Sequence, residues 1–261
     1  MTMYKKAFVE ERRARILEHI KSRNRANVME LAKILEVTDA TIRRDLRLLE
    51  NQGLLNRTHG GAIKRDNPAL WQTTSMEERM VARKAEKDRI AEFTAHIIND
   101  NTSLMIDGGS TTMAVAEKLT GKKNLLVLTN CLSVGLLFLK GTGNKVLFTG
   151  GELMWGTYSV VGPEAELALR RIRTDKAIIG VSALQTEDGL FSANPQEGEI
   201  KRLMILNARE TIVVADSSKF DVQALYMFSD FERITKIVTD KDIGRDAVNA
   251  LQKKGVEVFT V

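Results

Sequence analysis

The chain has 261 residues, 43% of them hydrophobic and 28% charged, with a single cysteine, Cys131, and three histidines. That composition predicts an ordinary soluble protein, either one large domain or a small module joined to a medium one. It argues against an intramolecular disulfide, a cysteine-rich zinc site and a transmembrane helix, because no apolar run approaches the roughly 20 residues a span requires.

The net charge of +5 is unevenly spread: residues 1–65 carry 15 Lys or Arg against 8 Asp or Glu, a balance of +7, and the remainder carries 24 against 26, a balance of −2. A small nucleic-acid-binding module fused to a near-neutral domain has this asymmetry, because phosphate neutralisation supplies the sequence-independent part of DNA affinity; a basic solvated surface would have it too. Met1 to Arg15 contains Lys5, Lys6, Arg12, Arg13 and Arg15 without an apolar core or a small-residue cleavage site. It does not read as a secretory signal, and the protein is expected in the cytoplasm.

In chain order, Ile16, Leu17 and Ile20 mark one face of a helix over about 10–22, and residues 24–27 interrupt the pattern. Val28, Leu31, Ala32 and Leu35 then follow at i, i+3, i+4, i+7, the spacing of a short amphipathic helix. Glu36-Val37 make a turn, and Thr38 is placed to cap the next helix with its hydroxyl. That third helix runs from Asp39 to about Gln52, stops near Gly53 and buries Ile42, Leu46 and Leu49. Thr41, Arg43, Arg44 and Arg47 are left on or beside its outer face, where a recognition helix carries its reading side chains. An arginine there can donate two bonds to a guanine edge while others hold phosphates. The plain alternative is a three-helix cap with a charged, solvated face. Leu54 to Thr58, the turn His59-Gly60-Gly61 and Ala62 to Arg65 then predict a small hairpin, a wing from which Arg57, His59 and Lys64 reach the backbone or minor groove.

At these residues the chain resembles the DeoR family of bacterial regulators. The resemblance is carried by Thr41-Ile42-Arg43-Arg44-Asp45-Leu46 together with Arg57-Thr58-His59-Gly60-Gly61-Ala62. It implies that Thr41, Arg43 and Arg44 contact DNA and that Asp45 is a structural partner of a nearby arginine; with the reading of the helix and wing, the expectation is a winged helix-turn-helix over 1–65 that also sets Thr38, Arg47, Arg57, His59, Gly60 and Gly61 at the DNA.

Residues 66–74, with Pro68, break periodicity and form the expected linker. Ser75 to Asn99 reads as one long helix with Met76, Met80, Ile90, Phe93 and Ile97 apolar, and with the charges from Glu77 to Arg89 on a solvated face. Beyond residue 100, seven β-rich runs alternate with helical segments: 103–106, 125–129, 145–149, 176–181, 211–215, 234–239 and 256–260. This order predicts an α/β domain over 75–261 with a mainly parallel sheet, whose ligands gather at the carboxyl ends of the strands.

The first of those strands ends in Asp107-Gly108-Gly109-Ser110-Thr111-Thr112 and runs straight into a helix. Glycines let backbone approach an anion, hydroxyls add donors, and the free amides of the helix start carry partial positive charge, so a phosphate fits; a tight capped turn is the plainer alternative. Thr129-Asn130 and Gly150-Gly151 end the next two strands. Glu197 and Lys201, one helical turn apart, and Asp216-Ser217-Ser218-Lys219 add charge, with Lys201 and Lys219 available to phosphate or sugar oxygens and Asp107, Glu197 and Asp216 to hydroxyls.

Asp107 to Thr112, Thr129-Asn130, Gly150-Gly151, Val161-Gly162, Gly180, the Glu197/Lys201 step and Asp216 to Phe220 again resemble the DeoR-family sensor domain. That sensor is similar in fold to ribose-5-phosphate isomerase, and the resemblance implies a phosphorylated sugar or derivative as effector. Trp155, Tyr158 and Phe191 are candidates for selectivity, with core packing the plainer role for each. The expectation is a repressor of a sugar uptake or catabolism operon, without catalytic residue, metal or cofactor. It binds double-stranded operator DNA as a homodimer or homotetramer, touches no membrane, and uses the 75–99 helix to couple effector to operator. The alternative from another class is a sugar-phosphate isomerase or deaminase fused to a DNA-binding module, with Asp107, Glu197 or Asp216 as base.

Overall fold

Ile16, Ile20, Leu31, Ile42, Leu46, Leu49 and Leu55 all leave solvent almost completely and pack into one core. They belong to the first of two units, residues 1–69 and 70–261, of a computed structural model. The structure describes residues 2–23, 25–51, 55–58, 60–64, 75–139, 143–154, 156–220 and 222–261. The expected helix stop at Gly53 and the expected linker 66–74 with Pro68 lie outside the described residues.

The first unit contains α1 (Thr2–Arg23), β1 (Arg25–Asn27), α2 (Val28–Ile34), α3 (Asp39–Asn51), β2 (Leu55–Thr58) and β3 (Gly61–Lys64). Asn27 Oδ1 caps α2 by accepting from Met29 N–H at 2.9 Å, and Thr38 Oγ1 accepts from Thr41 N–H at 3.3 Å, the cap expected for α3. Ile42, Leu46 and Leu49 recur at i, i+4, i+7, so α3 buries one stripe and leaves the opposite face to solvent. Strands β2 and β3 pair antiparallel with Thr58 opposite Gly61, which makes the wing. The stretch before α2 needs correction. Arg25 to Asn27 do not merely interrupt the helices but add a third strand antiparallel to β3, with Ala26 opposite Ala62. A side chain at Gly61 would set its Cβ 2.0 Å from the Ala26 carbonyl oxygen, so glycine is what lets the strands close.

The second unit opens with α4 (Met76–Val81) and α5 (Lys84–His96). Then follow β4 (Ser103–Ile106), α6 (Ser110–Leu119), β5 (Leu126–Thr129), α7 (Leu132–Phe138), β6 (Lys145–Phe148), the hairpin β7 (Glu152–Leu153) and β8 (Val160–Val161), and α8 (Pro163–Arg171). The chain continues through β9 (Thr174–Gly180), β10 (Ala183–Gln185), β11 (Gly189–Ser192), α9 (Pro195–Leu206), β12 (Ala208–Val214), β13 (Tyr226–Ser229), β14 (Lys236–Thr239), α10 (Arg245–Lys253) and β15 (Glu257–Thr260). The seven expected strands form one sheet in the order β15-β14-β12-β9-β4-β5-β6, and every pairing in it is parallel.

Side chains alternate across this sheet. Leu104, Ile106, Val127, Ile178, Ile212 and Val238 meet Ile90, Val115 and Val134 from α5, α6 and α7 on one face. Met105, Leu128, Ala177, Ile179, Val213 and Ile237 meet Leu169, Ile200, Leu203 and Leu251 from α8, α9 and α10 on the other. The sheet is therefore covered on both faces, which is why its strands read as nearly continuous apolar runs. All strand carboxyl ends share one edge, and Asp107, Asn130, Thr149, Ala215 and Asp240 follow directly upon it. The β7–β8 hairpin and the small antiparallel sheet β10-β11-β13 were not legible as strands in so few residues. Among the described residues no helix is long and apolar enough to cross a membrane.

The single helix expected over 75–99 is two. Helix α4 ends at Ala82, which is extended, and Arg83 takes the left-handed conformation, φ 50° and ψ 42°, before α5 begins. Ser75 and Glu78 close a reciprocal capping box at the start of α4, as its own short helix requires.

Candidate nucleic-acid interface and effector site

In the first unit, Thr38, Arg43, Arg44 and Arg47 are exposed and Thr41 is half-buried. The three arginines have no ion-pair partner among the described residues, so their five-donor forks are available. Asp45, one residue on, points the other way: it is buried and accepts from Arg12 Nε at 2.7 Å and Arg13 Nε at 3.0 Å, which pins α1 to α3. Arg57 is exposed on the wing, its N–H bonded to Glu50 Oε1 at 2.9 Å and its guanidinium 3.5 Å from Glu50 Oε2. Gly60 is exposed, but Gly61 is buried against β1 and serves packing instead of contact. His59 and the Lys64 side chain lie outside the described residues.

The second unit gathers its polar residues at the carboxyl edge of the sheet. Gly109 starts α6 without any side-chain cap, and the first intrahelical bond is Met113 N–H to the Gly109 carbonyl at 2.8 Å. The amides of Ser110, Thr111 and Thr112 therefore have no acceptor within the helix. A side chain at Gly108 would set its Cβ 2.0 Å from Ser159 Oγ, so the loop can lie against the segment before β8 only with glycine there. Two expected donors are already engaged: Thr112 Oγ1 bonds the Gly109 carbonyl at 3.0 Å, and Thr129 Oγ1 donates to the Ile106 carbonyl at 2.7 Å while accepting from Cys131 N–H at 3.1 Å. Thr111 is buried and Ser110 half-buried beside them. Gly150 and Gly151, both at positive φ, form the turn that leads from β6 into the hairpin.

The Glu197/Lys201 pair does not form. Lys201 is 5% exposed and its ammonium bonds Asp107 Oδ2 and, at 3.1 Å, the Gly180 carbonyl; Gly180 N–H donates to the same Asp107 oxygen at 3.2 Å. Asp107 and Lys201 thus neutralise each other across the ends of β4 and β9, whereas Glu197 stands half-buried in the first turn of α9, where its N–H bonds the Asn194 cap at 3.2 Å. Asp216 is buried too, accepting from Ser218 N–H at 3.1 Å and lying 3.4 Å from Arg83 Nε.

Of the charges of α4 and α5 expected on a solvated face, Glu77, Lys84 and Arg89 are exposed, whereas Lys87 is buried and Arg79 and Arg83 are half-buried near Asp216. Lys87 is 5% exposed and donates to the carbonyls of Arg79 and Ala82, holding the end of α4. Burial pushes its ammonium below the ordinary lysine value, Lys219 and Arg79 push the same way, and Asp216 opposes them. Lys219 is likewise lowered by burial and by Arg79, against Asp216. Its ammonium has no described hydrogen-bond acceptor, and Arg79 Nε is buried without one. Three cationic heads thus converge, with the carboxylates of Asp216 and Glu86 acting on Lys87. The sequence held a signal for Lys87, since it precedes the buried Ile90, Ala91 and Thr94 by three, four and seven residues and so lies on their face. Arg83 Nη2 reaches Ser217 Oγ at 3.0 Å, Asp240 Oδ1 at 3.3 Å and Asp242 Oδ2 at 3.1 Å. Burial works against the charge of Arg83, but Asp240, Asp242, Asp216 and Glu86 outweigh it and raise its pKa.

Of the three selectivity candidates, Tyr158 is exposed and donates to Glu77 Oε1 at 2.8 Å, so it does not pack in the core. Phe191 is half-buried in β11, and Trp155 lies outside the described residues.

Comparison with known proteins agrees with both halves. Residues 12–67 match the model of the DeoR-like helix-turn-helix domain and residues 82–241 that of the DeoR C-terminal sensor domain. The chain is 32% identical over 251 residues to the putative aga operon transcriptional repressor of Escherichia coli O157:H7, covering 96% of this chain and 93% of that one. It is 34% identical over 250 residues to the HTH-type transcriptional regulator GlpR of Haloferax volcanii, covering 95% and 96%. Among solved structures it is similar to ribose 5-phosphate isomerase A from Methanocaldococcus jannaschii, with TM-score 0.40 and 14% identity over 53% of this chain and 55% of that one. With an exposed arginine face on a winged helix-turn-helix, an α/β unit following it in the chain, and matches to both family models along one chain, the protein belongs to the DeoR family of DNA-binding transcription regulators.

Proposed function

We propose that this regulator represses an operon for sugar uptake or catabolism and that a phosphorylated sugar, bound at the carboxyl edge of the sheet, changes its affinity for operator DNA. The observation that carries the reading is the convergence of Arg79, Lys87 and Lys219, two of them with unpartnered donors, on an edge where α6 offers uncapped amides. Arg79 and Lys219 keep donors there without a described acceptor, and a phosphate would supply acceptors for them and for the free amides of α6. The names of the relatives, an aga operon repressor and a glycerol-3-phosphate regulon repressor in Haemophilus influenzae among them, support sugar or sugar-alcohol metabolism as the setting.

In this reading Thr38, Thr41, Arg43, Arg44, Arg47, Arg57, His59 and Gly60 meet the operator. Gly108 to Thr111, Asn130, Gly150, Gly151 and Lys219, joined by Arg79 and Lys87, surround the effector, while Asp107, Thr112, Thr129, Lys201 and Asp216 hold the walls. The small module 1–65 and the sensor 75–261 act in the cytoplasm, and two or four copies pair the reading heads on repeated half-sites. No catalysis is assigned: Asp107, the best-placed base, is bound by Lys201 and Gly180. The test is a thermal-shift screen of the full chain against phosphorylated sugars, followed by operator binding with each hit. At least one is expected to raise Tm and to change operator affinity. Turnover of a hit, instead of binding alone, would move the protein to the enzymes.

A further inference from the structure

Strand β6 ends the seven-stranded sheet, and among the described residues only β5 pairs with it. Its inner side is fixed by Lys145 N–H to the Leu125 carbonyl at 2.8 Å and Thr149 N–H to the Thr129 carbonyl at 3.1 Å. Backbone groups alternate along a strand, so Lys145, Leu147 and Thr149 turn theirs toward β5. Val146 and Phe148 turn their N–H and C=O outward and line an open edge, the kind that templates pairing with another strand.

Apolar side chains flank that edge. A Cβ at Gly135 of α7 would lie 3.7 Å from Val146 Cγ1, so this side of the helix faces the edge strand. Leu132, Leu136 and Leu139, at i, i+4, i+7, stand beside Gly135 on the flank beyond the outermost strand, at 40%, 62% and 68% exposure. Leu137 stands on the opposite flank and packs into the core shared with α5 and α6. Leu147 and Phe148 point to opposite faces of β6 and are each 41% exposed. Tyr158, 43% exposed, joins the stripe at its start, where its carbonyl accepts from Leu132 N–H at 3.0 Å. At roughly 200 Å² for a large apolar side chain, these six leave about 600 Å² in solvent. A standard dimer buries about 800 Å² on each partner, and the remainder falls to the strand edge itself and its polar border.

We infer that this face is the interface with a second copy of the chain, β6 pairing antiparallel with its counterpart across a two-fold axis normal to the sheet. The inference rests on the reading of two or four copies given above and adds the surface and its register. The outward groups fix that register: Val146 exchanges both backbone bonds with the partner's Phe148, and Leu147 meets the partner's Leu147 on the axis. Lys145 then meets the partner's Thr149, so no like charges stand opposite each other. The same axis keeps both α7 helices on one face of the joined sheet and sets their leucine stripes against each other, as an isologous contact requires. A lone peptide strand would satisfy the backbone edge and leave the α7 stripe in water; a second copy covers both.

The test uses the full chain without operator or effector. Sedimentation velocity is expected to show a dimer or tetramer for wild type, and Leu136→Glu combined with Leu147→Lys to raise the dissociation constant of one assembly step at least tenfold, with the far-UV circular dichroism of wild type. Register is read by cross-linking. Facing residues in a non-hydrogen-bonded antiparallel pair have Cα atoms about 4.5 Å apart, within disulfide range, so Leu147→Cys is expected to form a covalent dimer under mild oxidation. Lys145→Cys is expected not to, since its two copies lie about 14 Å apart, and buried Cys131 leaves wild type uncross-linked. Unchanged assembly of the double variant, no cross-link in Leu147→Cys, or equally fast cross-linking in Lys145→Cys would overturn the inference while leaving two or four copies standing. A monomeric wild type would sink both.

Discussion

Lys219 holds a positive charge where burial and Arg79 both work against it, and Asp216 alone works in its favour. Its folded pKa lies below the ordinary 10.5. The unfolded chain therefore binds more protons than the folded one between that lowered value and 10.5, so stability rises with pH across this window. A phosphate beside the ammonium reverses the balance, favours the charged form and raises the pKa again. Binding of a phosphorylated effector above neutrality is thus expected to take up protons. Titration calorimetry in two buffers of different ionisation enthalpy reads that uptake directly, and Lys219→Met should abolish it. An uptake unchanged in Lys219→Met would assign the proton to another group. Asp45 shows how far single residues were legible. The family resemblance implied that it partners a nearby arginine, and it is bound by Arg12 and Arg13. Lys201 was not legible, because i, i+4 spacing to Glu197 says nothing about Asp107, which comes 94 residues earlier.

At the scale of elements, hydrophobic period sufficed where burial is regular. All seven strands of the sheet and the stripe Ile42, Leu46 and Leu49 were readable, since each buries a fixed face. Period failed between residues 75 and 99, where apolar spacing continues smoothly through Val81 to Arg83. What breaks the helix there is a side chain's distant partners. Arg83 gives up helical backbone, at roughly 1–3 kcal/mol for a non-glycine residue in the left-handed region, and reaches Ser217, Asp240 and Asp242 in the turns after β12 and β14. This joint ties α4, which carries Arg79, to the turn that carries Lys219. An effector that draws on Arg79 and Lys219 therefore acts on α4 through Arg83, and α4 is the first described element after the DNA-binding unit. Arg83→Ala is expected to keep effector binding within about threefold, as loss of a partly exposed ion-pair network allows, and to lose most of the effector's influence on operator affinity. Fluorescence anisotropy of a labelled operator, with and without effector, checks this. A full response in Arg83→Ala would take the coupling away from this joint.

For the whole molecule, charge is divided as sharply as fold: the balance of +7 lies within the first 65 residues and the rest is near neutral. Operator affinity should then fall steeply with salt, and the first unit should carry nearly all of the slope, since each neutralised phosphate contributes about 0.9 to it. Exposed arginines of the reading helix and of the wing are expected to separate in this measurement. Arg57 stands on the wing beside Glu50, so Arg57→Ala should lower the slope by about 1 and weaken operator and unrelated DNA alike. Arg43 and Arg44 stand on the free face of α3, and an arginine that donates two bonds to a base is worth about 1–3 kcal/mol of discrimination. Arg43→Ala or Arg44→Ala should therefore reduce the ratio of operator to unrelated DNA affinity by more than Arg57→Ala does, with the sensor unit still responding to effector by thermal shift. If all three variants lowered only the slope and left that ratio intact, α3 would be holding phosphates, and sequence would have to be read through DNA shape or by another element.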